Sequence, residues 1–491
     1  MPENAPNILH IFTDQQRFDT ISALGNQLIK TPNLDRLVRE GTAFQRAYSP
    51  SPECVPARAS MITGWYPTRT ECYCNEQPMP PVDTPTLMSL LSDAGYQTMG
   101  IGKCHFSPNS YALRGFQQRV SQEETISDRS ADNYSKWLVD NGWGWVIEPH
   151  GVRSDMYYIP QVSVLPEHAH PVGWIGDQVL NFLETKTDSE KPWYCYAGFI
   201  HPHPPFAPPI PWHKEYRAPE MPLPEIPEDC EDLLSFINHF QNRYKYRDRG
   251  LDLNLVRSIR AYYYACITFI DHQVGRILDS LEQSGQLDNT LIVFSADHGE
   301  YLGDFGSFGK RGMHDVSARI PLLVRWPAKS NAGTICSRVA SLVDLAPTFL
   351  DVAGISYDSD DFDGISLRLI ADGSIRRDSV YSQYGRAENG LYMLVGERWK
   401  YVYSAPDQKE YLFDLKSDAL EHTNLVGQLE FEVTLGQMRE KCISWLHEQG
   451  EVAAVADDDW RLYPKQKVST NPDDGLLCQD PPWWVKEKDL L

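Results

Sequence analysis

Four stretches of the chain carry side chains that could do chemistry if the fold gathered them. Asp14-Gln15 directly follows an apolar run, Asn7 to Thr13, and Asp297-His298 directly follows another, Thr290 to Ala296. Such runs suit strands buried on both faces of a parallel sheet. Open α/β sheets build ligand sites outside the carboxyl ends of their strands. If the two strands are neighbours, two carboxylates, an amide and an imidazole meet there. Carboxylate and amide oxygens suit a hard divalent cation such as Ca²⁺ or Mg²⁺. Cys54-Val55-Pro56-Ala57-Arg58 sets a thiol four residues before a guanidinium. Gly102-Lys103-Cys104-His105 sets an ammonium and an imidazole two apart. If Gly102 to Phe106 continues a strand, Lys103 and His105 point to one face and bind one anion together. Singly, each feature has a plainer explanation: Asp14 as a strand-end cap, His298 as a satisfied histidine, Lys103 as a solvated turn residue.

Together the motifs resemble those of the type I, formylglycine-dependent sulfatases of the alkaline phosphatase superfamily. Cys54-Val55-Pro56-Ala57-Arg58 with Thr63-Gly64 resembles C-x-P-x-R…T-G. Gly95-Tyr96-Gln97-Thr98 with Gly102-Lys103-Cys104-His105 resembles G-Y-x-T…G-K-x-H. His201-Pro202-His203-Pro204 resembles the P-H-x-P loop, and Asp297-His298-Gly299-Glu300 through Gly309-Lys310 resembles D-H-G-x-x-L-G…G-K. A later stretch, Tyr411-Leu412-Phe413-Asp414-Leu415 to Asn424-Leu425, resembles Y-D-L-x-x-D-P-x-E-x-x-N-L, so the likeness runs over roughly residues 5 to 425.

The resemblance implies a sulfatase that hydrolyses a sulfate monoester of a small alcohol, aryl group or sugar. It implies that a formylglycine-generating maturation enzyme oxidises Cys54, and that the aldehyde hydrate is the nucleophile. Asp14, Gln15, Cys54, Asp297 and His298 are the implied ligands of one divalent metal, Ca²⁺ first, with Mg²⁺ or Mn²⁺ open. Many members of the family have Asp where this chain has Gln15 and Asn where it has His298, which lowers the expected Ca²⁺ affinity. Arg58 holds and activates the nucleophile; Lys103 and Lys310 bind sulfate. His203 (His201 being the second choice) or Lys310 protonates the leaving group, and His105 is the base for sulfate release. The chemistry is coherent in itself. A sulfate or phosphate ester builds negative charge on its oxygens in the transition state, and fixed cations stabilise it there. The pattern is nearest the choline-sulfatase-like and arylsulfatase-like branches. Phosphonate monoester and phosphodiester hydrolases share C-x-P-x-R and Asp-Gln but usually lack G-K-x-H, so they stand as the alternative. A metal- or anion-binding protein whose Cys54 stays a thiol is the other.

Helix signals alternate with the apolar runs. Thr31-Pro32 starts a helix ending near Gly41, and Thr84-Pro85 starts another ending near Gly95. Val256 to Glu282 reads as one long helix, and Gln97–Ile101, Trp193–Ile200 and Ile320–Trp326 read as strands. The expectation is an α/β fold with a mainly parallel central sheet and helices on both faces. After about residue 375, four short strands and a helix over 430–449 predict a smaller antiparallel sheet with one packed helix. The expected domains are 1–375, 376–458 and a tail, 459–491, holding Pro481-Pro482-Trp483-Trp484 and suited to reach a second subunit in a homo-oligomer. His314-Asp315, near Lys310, is weighed equally as a specificity element and a structural pair.

The chain of 491 residues carries a net charge of −22, which argues against a nucleic-acid partner. Ten Cys scattered over this length predict free thiols, and Cys72-Tyr73-Cys74 lacks the second pair a zinc site needs. No stretch approaches a membrane span and the first residues carry no basic leader. The expected location is cytoplasmic, with no membrane partner.

Overall fold

The computed structural model describes residues 5–126, 128–153, 157–185, 191–246 and 252–469, with backbone alone for 243–246. The central sheet holds β1 (Asn7–Thr13), β2 (Thr42–Tyr48), β3 (Gln97–Gly102), β4 (Gln118–Ser121), β5 (Trp193–Phe199), β6 (Thr290–Ala296), β7 (Arg319–Ile320), β8 (Leu322–Arg325) and β9 (Thr334–Ser341). Its order is β4-β3-β5-β1-β6-β8-β2-β7, with β9 beside β2. From β4 to β6 every pairing is parallel, and β8 then runs antiparallel to both β6 and β2. The mostly parallel α/β sheet expected from the sequence is present. The run 320–326 forms two short strands rather than one, because Pro321 cannot donate to a ladder.

Alternation along the central strands builds two cores. Ile8, Phe12, Tyr194, Tyr196, Leu291 and Val293 face the helices Cys54–Thr63, Leu87–Asp93 and Leu345–Val352. Leu9, Ile11, Cys195, Ala197, Ile292 and Phe294 face the helices Pro32–Glu40, Pro171–Thr185 and Leu253–Gln283. Each large aliphatic side chain so buried contributes about 1.5–3 kcal/mol of transfer free energy. This double burial explains why β1 and β6 are apolar at successive positions. The second helix begins at Leu87 rather than at Thr84-Pro85: Thr86 is its N-cap, accepting from the Ser89 N–H at 3.2 Å.

β10 (Ser379–Tyr384), β11 (Leu391–Gly396), β12 (Trp399–Ser404) and β13 (Lys409–Asp414) form an antiparallel sheet in that order. One face, including Leu394, Tyr401 and Leu412, packs on the helix Glu432–Glu448. The other, with Met393, Val395, Val402 and Phe413, packs on Tyr48, Tyr301 and Phe305. The cysteines among the described residues are free thiols. Among these residues no helix is long and apolar enough to cross a membrane. Pro481-Pro482-Trp483-Trp484 lies outside the described residues.

Candidate functional site

The register of the two central strands creates the site. Thr13 pairs with Ala296, so Asp14 and Asp297 leave the sheet side by side. The Gln15 N–H donates to Asp297 Oδ1 at 2.9 Å, locking the two strand ends together. Cys54 is the first residue of its helix, where Pro56 is tolerated because first-turn N–H groups have no helical partner. Asn75 Oδ1 accepts from the Val55 N–H at 2.9 Å and so caps that end. Arg58, one turn further on, falls on the same face as Cys54.

Arg58 Nη2 lies 3.0 Å from Asp14 Oδ2 and 3.0 Å from Asp297 Oδ2. Its Nη1 donates to Tyr196 Oη at 2.9 Å and to the Lys103 carbonyl at 3.1 Å. Lys103 Nζ is 2.6 Å from Asp14 Oδ2 and also pairs with Glu124. Lys310 Nζ donates to Cys54 Sγ at 2.8 Å, and His298 Nε2 lies 3.3 Å from the same sulfur. Apart from the partly buried Glu124, these side chains are buried. Burial and Asp14 push the Cys54 thiol up, but Lys310, Lys103 and His298 outweigh them and bring it down to about 7. The lowered value favours the thiolate form.

Lys103 and His105 reach the site by a turn, so the condition of a strand continuing over Gly102 to Phe106 is not met. β3 ends at Gly102, at φ 87°, where an added Cβ would lie 2.1 Å from the Gly198 carbonyl oxygen. His105 sits at φ 53°. The N–H groups of Cys104 and His105 both donate to Glu123, at 3.0 and 3.1 Å, and hold this turn. The residues still converge: His105 and Glu124 offer atoms within 4.8 Å of Asp14. The Lys103 ammonium bridges Asp14 and Glu124 at that point.

The loop histidines separate cleanly. His203 Nε2 faces Glu124 at 3.5 Å, whereas His201 packs on His170 with ring centroids 5.0 Å apart. His314 and Asp315 belong to the seam with the C-terminal sheet. His314 Nδ1 is 2.9 Å from Tyr301 Oη, and Asp315 pairs with Lys400 and Arg319.

The donor set fits a divalent cation. Asp14, Cys54, Asp297 and His298 bring ligand atoms within 4.8 Å of one another. His298 Nδ1 is 3.0 Å from the Gly299 carbonyl. A carbonyl only accepts, so Nδ1 carries a proton and Nε2 is the nitrogen that offers a lone pair when the ring is neutral, the usual arrangement of a ligating histidine. Gln15 Oε1 is buried with no hydrogen-bond partner, while its Nε2 donates to Glu300. Burial and the charge of Asp14 push the Asp297 carboxyl up to about 6, the repulsion a bound cation relieves.

Sequence reasoning assigned no role to Glu124, Arg153 or Glu300. Glu300 accepts from Gln15, from Tyr158 Oη at 2.8 Å and from the Leu302 N–H at 3.0 Å, so it fixes the Gln15 amide. Its position inside Asp297-His298-Gly299-Glu300 was a usable signal. Glu124, in the acidic pair Glu123-Glu124, had none stronger.

The family profile described as Sulfatase matches residues 6–355, and one described as N-sulphoglucosamine sulphohydrolase, C-terminal, matches residues 303–448. An arylsulfatase of Clostridium perfringens is 30% identical over 91% of this chain and 95% of its own length. A choline-sulfatase of Rhizobium meliloti is 33% identical over 87% of this chain and 83% of its own. The multifunctional alkaline phosphatase superfamily protein PehA of Trinickia caryophylli is 30% identical over 89% of this chain and 95% of its own. In fold, the crystal structure of the phosphonate monoester hydrolase of Agrobacterium radiobacter superposes with a TM-score of 0.80 at 24% identity, covering 92% of this chain and 98% of that one.

Proposed function

Because the chain belongs to the sulfatase family of sulfuric ester hydrolases, we propose that it hydrolyses a small O-sulfate ester at the cluster around Cys54. The observation that carries this reading is the convergence of cations on one buried thiol, with Lys310 2.8 Å from its sulfur. A maturation enzyme converts Cys54 to formylglycine, whose hydrate supplies the attacking oxygen. Asp14, Gln15, Asp297 and His298, with residue 54, would hold one divalent ion, which would supply Lewis-acid charge stabilisation.

The other roles fall to side chains of known geometry. Arg58 joins Asp14 to Asp297 and keeps both aligned beneath residue 54. Lys103 and Lys310 offer fixed positive charge to the sulfate oxygens, where they act without reorganisation. His203 Nε2 gives a proton to the leaving oxygen, and His105 takes one for sulfate release. Lys310 stands as the second choice for that acid.

The test is turnover by protein co-expressed with a formylglycine-generating enzyme. The panel is aryl, sugar and choline sulfates beside a phosphonate monoester and a phosphodiester. Sulfate esters are expected to be the preferred substrates. Chelation is expected to abolish turnover, and one of Ca²⁺, Mg²⁺ or Mn²⁺ to restore it. The phosphorus esters are the second substrate class. Preference for them overturns the sulfate assignment.

A further inference from the structure

Glu124 lies just beyond β4, whose last residue, Ser121, pairs with Gly102 of β3. The chain therefore leaves the sheet beside the turn that carries Lys103. The Glu124 side chain is 8% exposed and faces three cationic groups. Lys103 Nζ is on Oε2, Arg153 Nη2 is 2.9 Å from Oε1, and His203 Nε2 is 3.5 Å from Oε1.

The other nitrogen of His203 decides what Nε2 can do. Nδ1 lies 2.8 Å from the Pro204 carbonyl oxygen, which can only accept, so the proton on Nδ1 is fixed. Nε2 is then the position that gains and loses a proton. It faces Glu124 and, at 3.4 Å, the Tyr157 hydroxyl. Burial drives the His203 imidazolium well below its usual range, and Glu124 is the strongest influence opposing this, while Lys310 and Lys103 act with burial. Without Glu124 the protonated ring would be buried near those two lysines and Arg153 with its nearest counter-charge gone.

Resting on the sulfatase reading above, we propose that Glu124 is a positioning residue for leaving-group protonation. It sets a counter-charge beside the protonated His203 Nε2 with one oxygen and anchors Lys103 with the other. As the bond between sulfur and the leaving oxygen breaks, its electron pair goes to that oxygen, which takes the Nε2 proton. His203 ends neutral with its Nδ1 proton retained, and Glu124 stays a carboxylate throughout. The 3.5 Å separation favours this use, because it pairs the charges without tying the Nε2 proton into a short hydrogen bond.

The experiment is Glu124→Gln on matured, metal-loaded enzyme, with kcat and KM measured over sulfate monoesters from p-nitrophenyl sulfate to simple alkyl sulfates. A proton matters most to the poorest leaving group. On alkyl sulfates kcat is expected to fall about 100-fold with KM nearly unchanged, and on p-nitrophenyl sulfate by less than about 5-fold. Turnover of the aryl ester is thus the internal control for folding. His203→Ala is expected to steepen the same dependence, and the double variant to be no slower than His203→Ala alone. An equal loss on every ester, or additive losses in the double variant, overturns the proposal. If Glu124→Gln does not fold, Glu124→Asp is read on the same series, with the same steepening in weaker form expected and a flat loss overturning it. Wild-type enzyme inactive on all sulfate esters instead overturns the sulfatase reading, a result distinct from a flat loss in an active enzyme.

Discussion

Lys310 and Lys400 are both buried lysines, and the clusters around them follow opposite rules. Lys400 lies between carboxylates: it pairs with Asp315 and, at 2.6 Å, with Glu421, and donates to the Met313 carbonyl at 3.0 Å. Asp315 is further held by Arg319 at 3.1 Å. This cluster joins β12 to the short helix Asp315–Ala318 before β7 and holds the C-terminal sheet to the body of the protein. Lys310 is aimed at the sulfur of Cys54, 2.8 Å away, rather than at a carboxylate. A buried cation closed by carboxylates holds structure. One directed at a nucleophile is, on the reading proposed above, kept for an incoming anion.

Substitutions should separate the two regions. The largest effect is expected from Cys54→Ala: steady-state turnover falls by at least about four orders of magnitude, while the melting temperature stays near that of wild type. Lys310→Met should cost about 10²–10³ in kcat, the worth of one preorganised donor, and leave the melting temperature unchanged or higher. Lys400→Met should do the reverse. It strands Asp315 and Glu421 without their cation and should cost about 3–5 kcal/mol in denaturant unfolding, while the fraction still folded turns over at the wild-type rate. If Lys400→Met slows chemistry without destabilising, or Lys310→Met destabilises without slowing it, the distinction is broken.

The smallest effect is a pH dependence confined to the seam. Burial, with Asp315 alongside, pushes the Glu421 carboxyl up to about 7 against the pull of Lys400. A carboxyl raised on folding binds its proton more tightly in the native state. Its stabilisation is therefore complete below the ordinary glutamate range and is lost as pH rises from about 4.5 to about 7. Melting temperature should decline across that window by a few degrees, and Glu421→Gln should flatten the decline. An unchanged slope in that variant removes Glu421 as the cause.

The site was legible where local pattern and chemistry coincide. β1 and β6 are continuous apolar runs that stop at an acid, so Asp14 and Asp297 could be placed at strand ends. Their adjacency depends on the pairing of Thr13 with Ala296, which no local pattern encodes. The condition that would put Lys103 and His105 on one strand face is not met, because the chain turns at Gly102 and His105 and is held by Glu123, well downstream. Glu124 was invisible for a similar reason: its three cationic neighbours come from β3's end, the 148–163 stretch and the proline-rich loop, and meet only in the fold. The run 320–326 looked like one strand because its apolar composition masks the break at Pro321.

The central claim, that residue 54 acts as an aldehyde and not as a thiol, is tested most directly by the mass of the proteolytic peptide spanning Cys54 from protein co-expressed with an active formylglycine-generating enzyme. The account predicts the mass of the aldehyde or its hydrate at residue 54 and turnover in proportion to that fraction. An unmodified thiol in protein that still hydrolyses sulfate esters would contradict it.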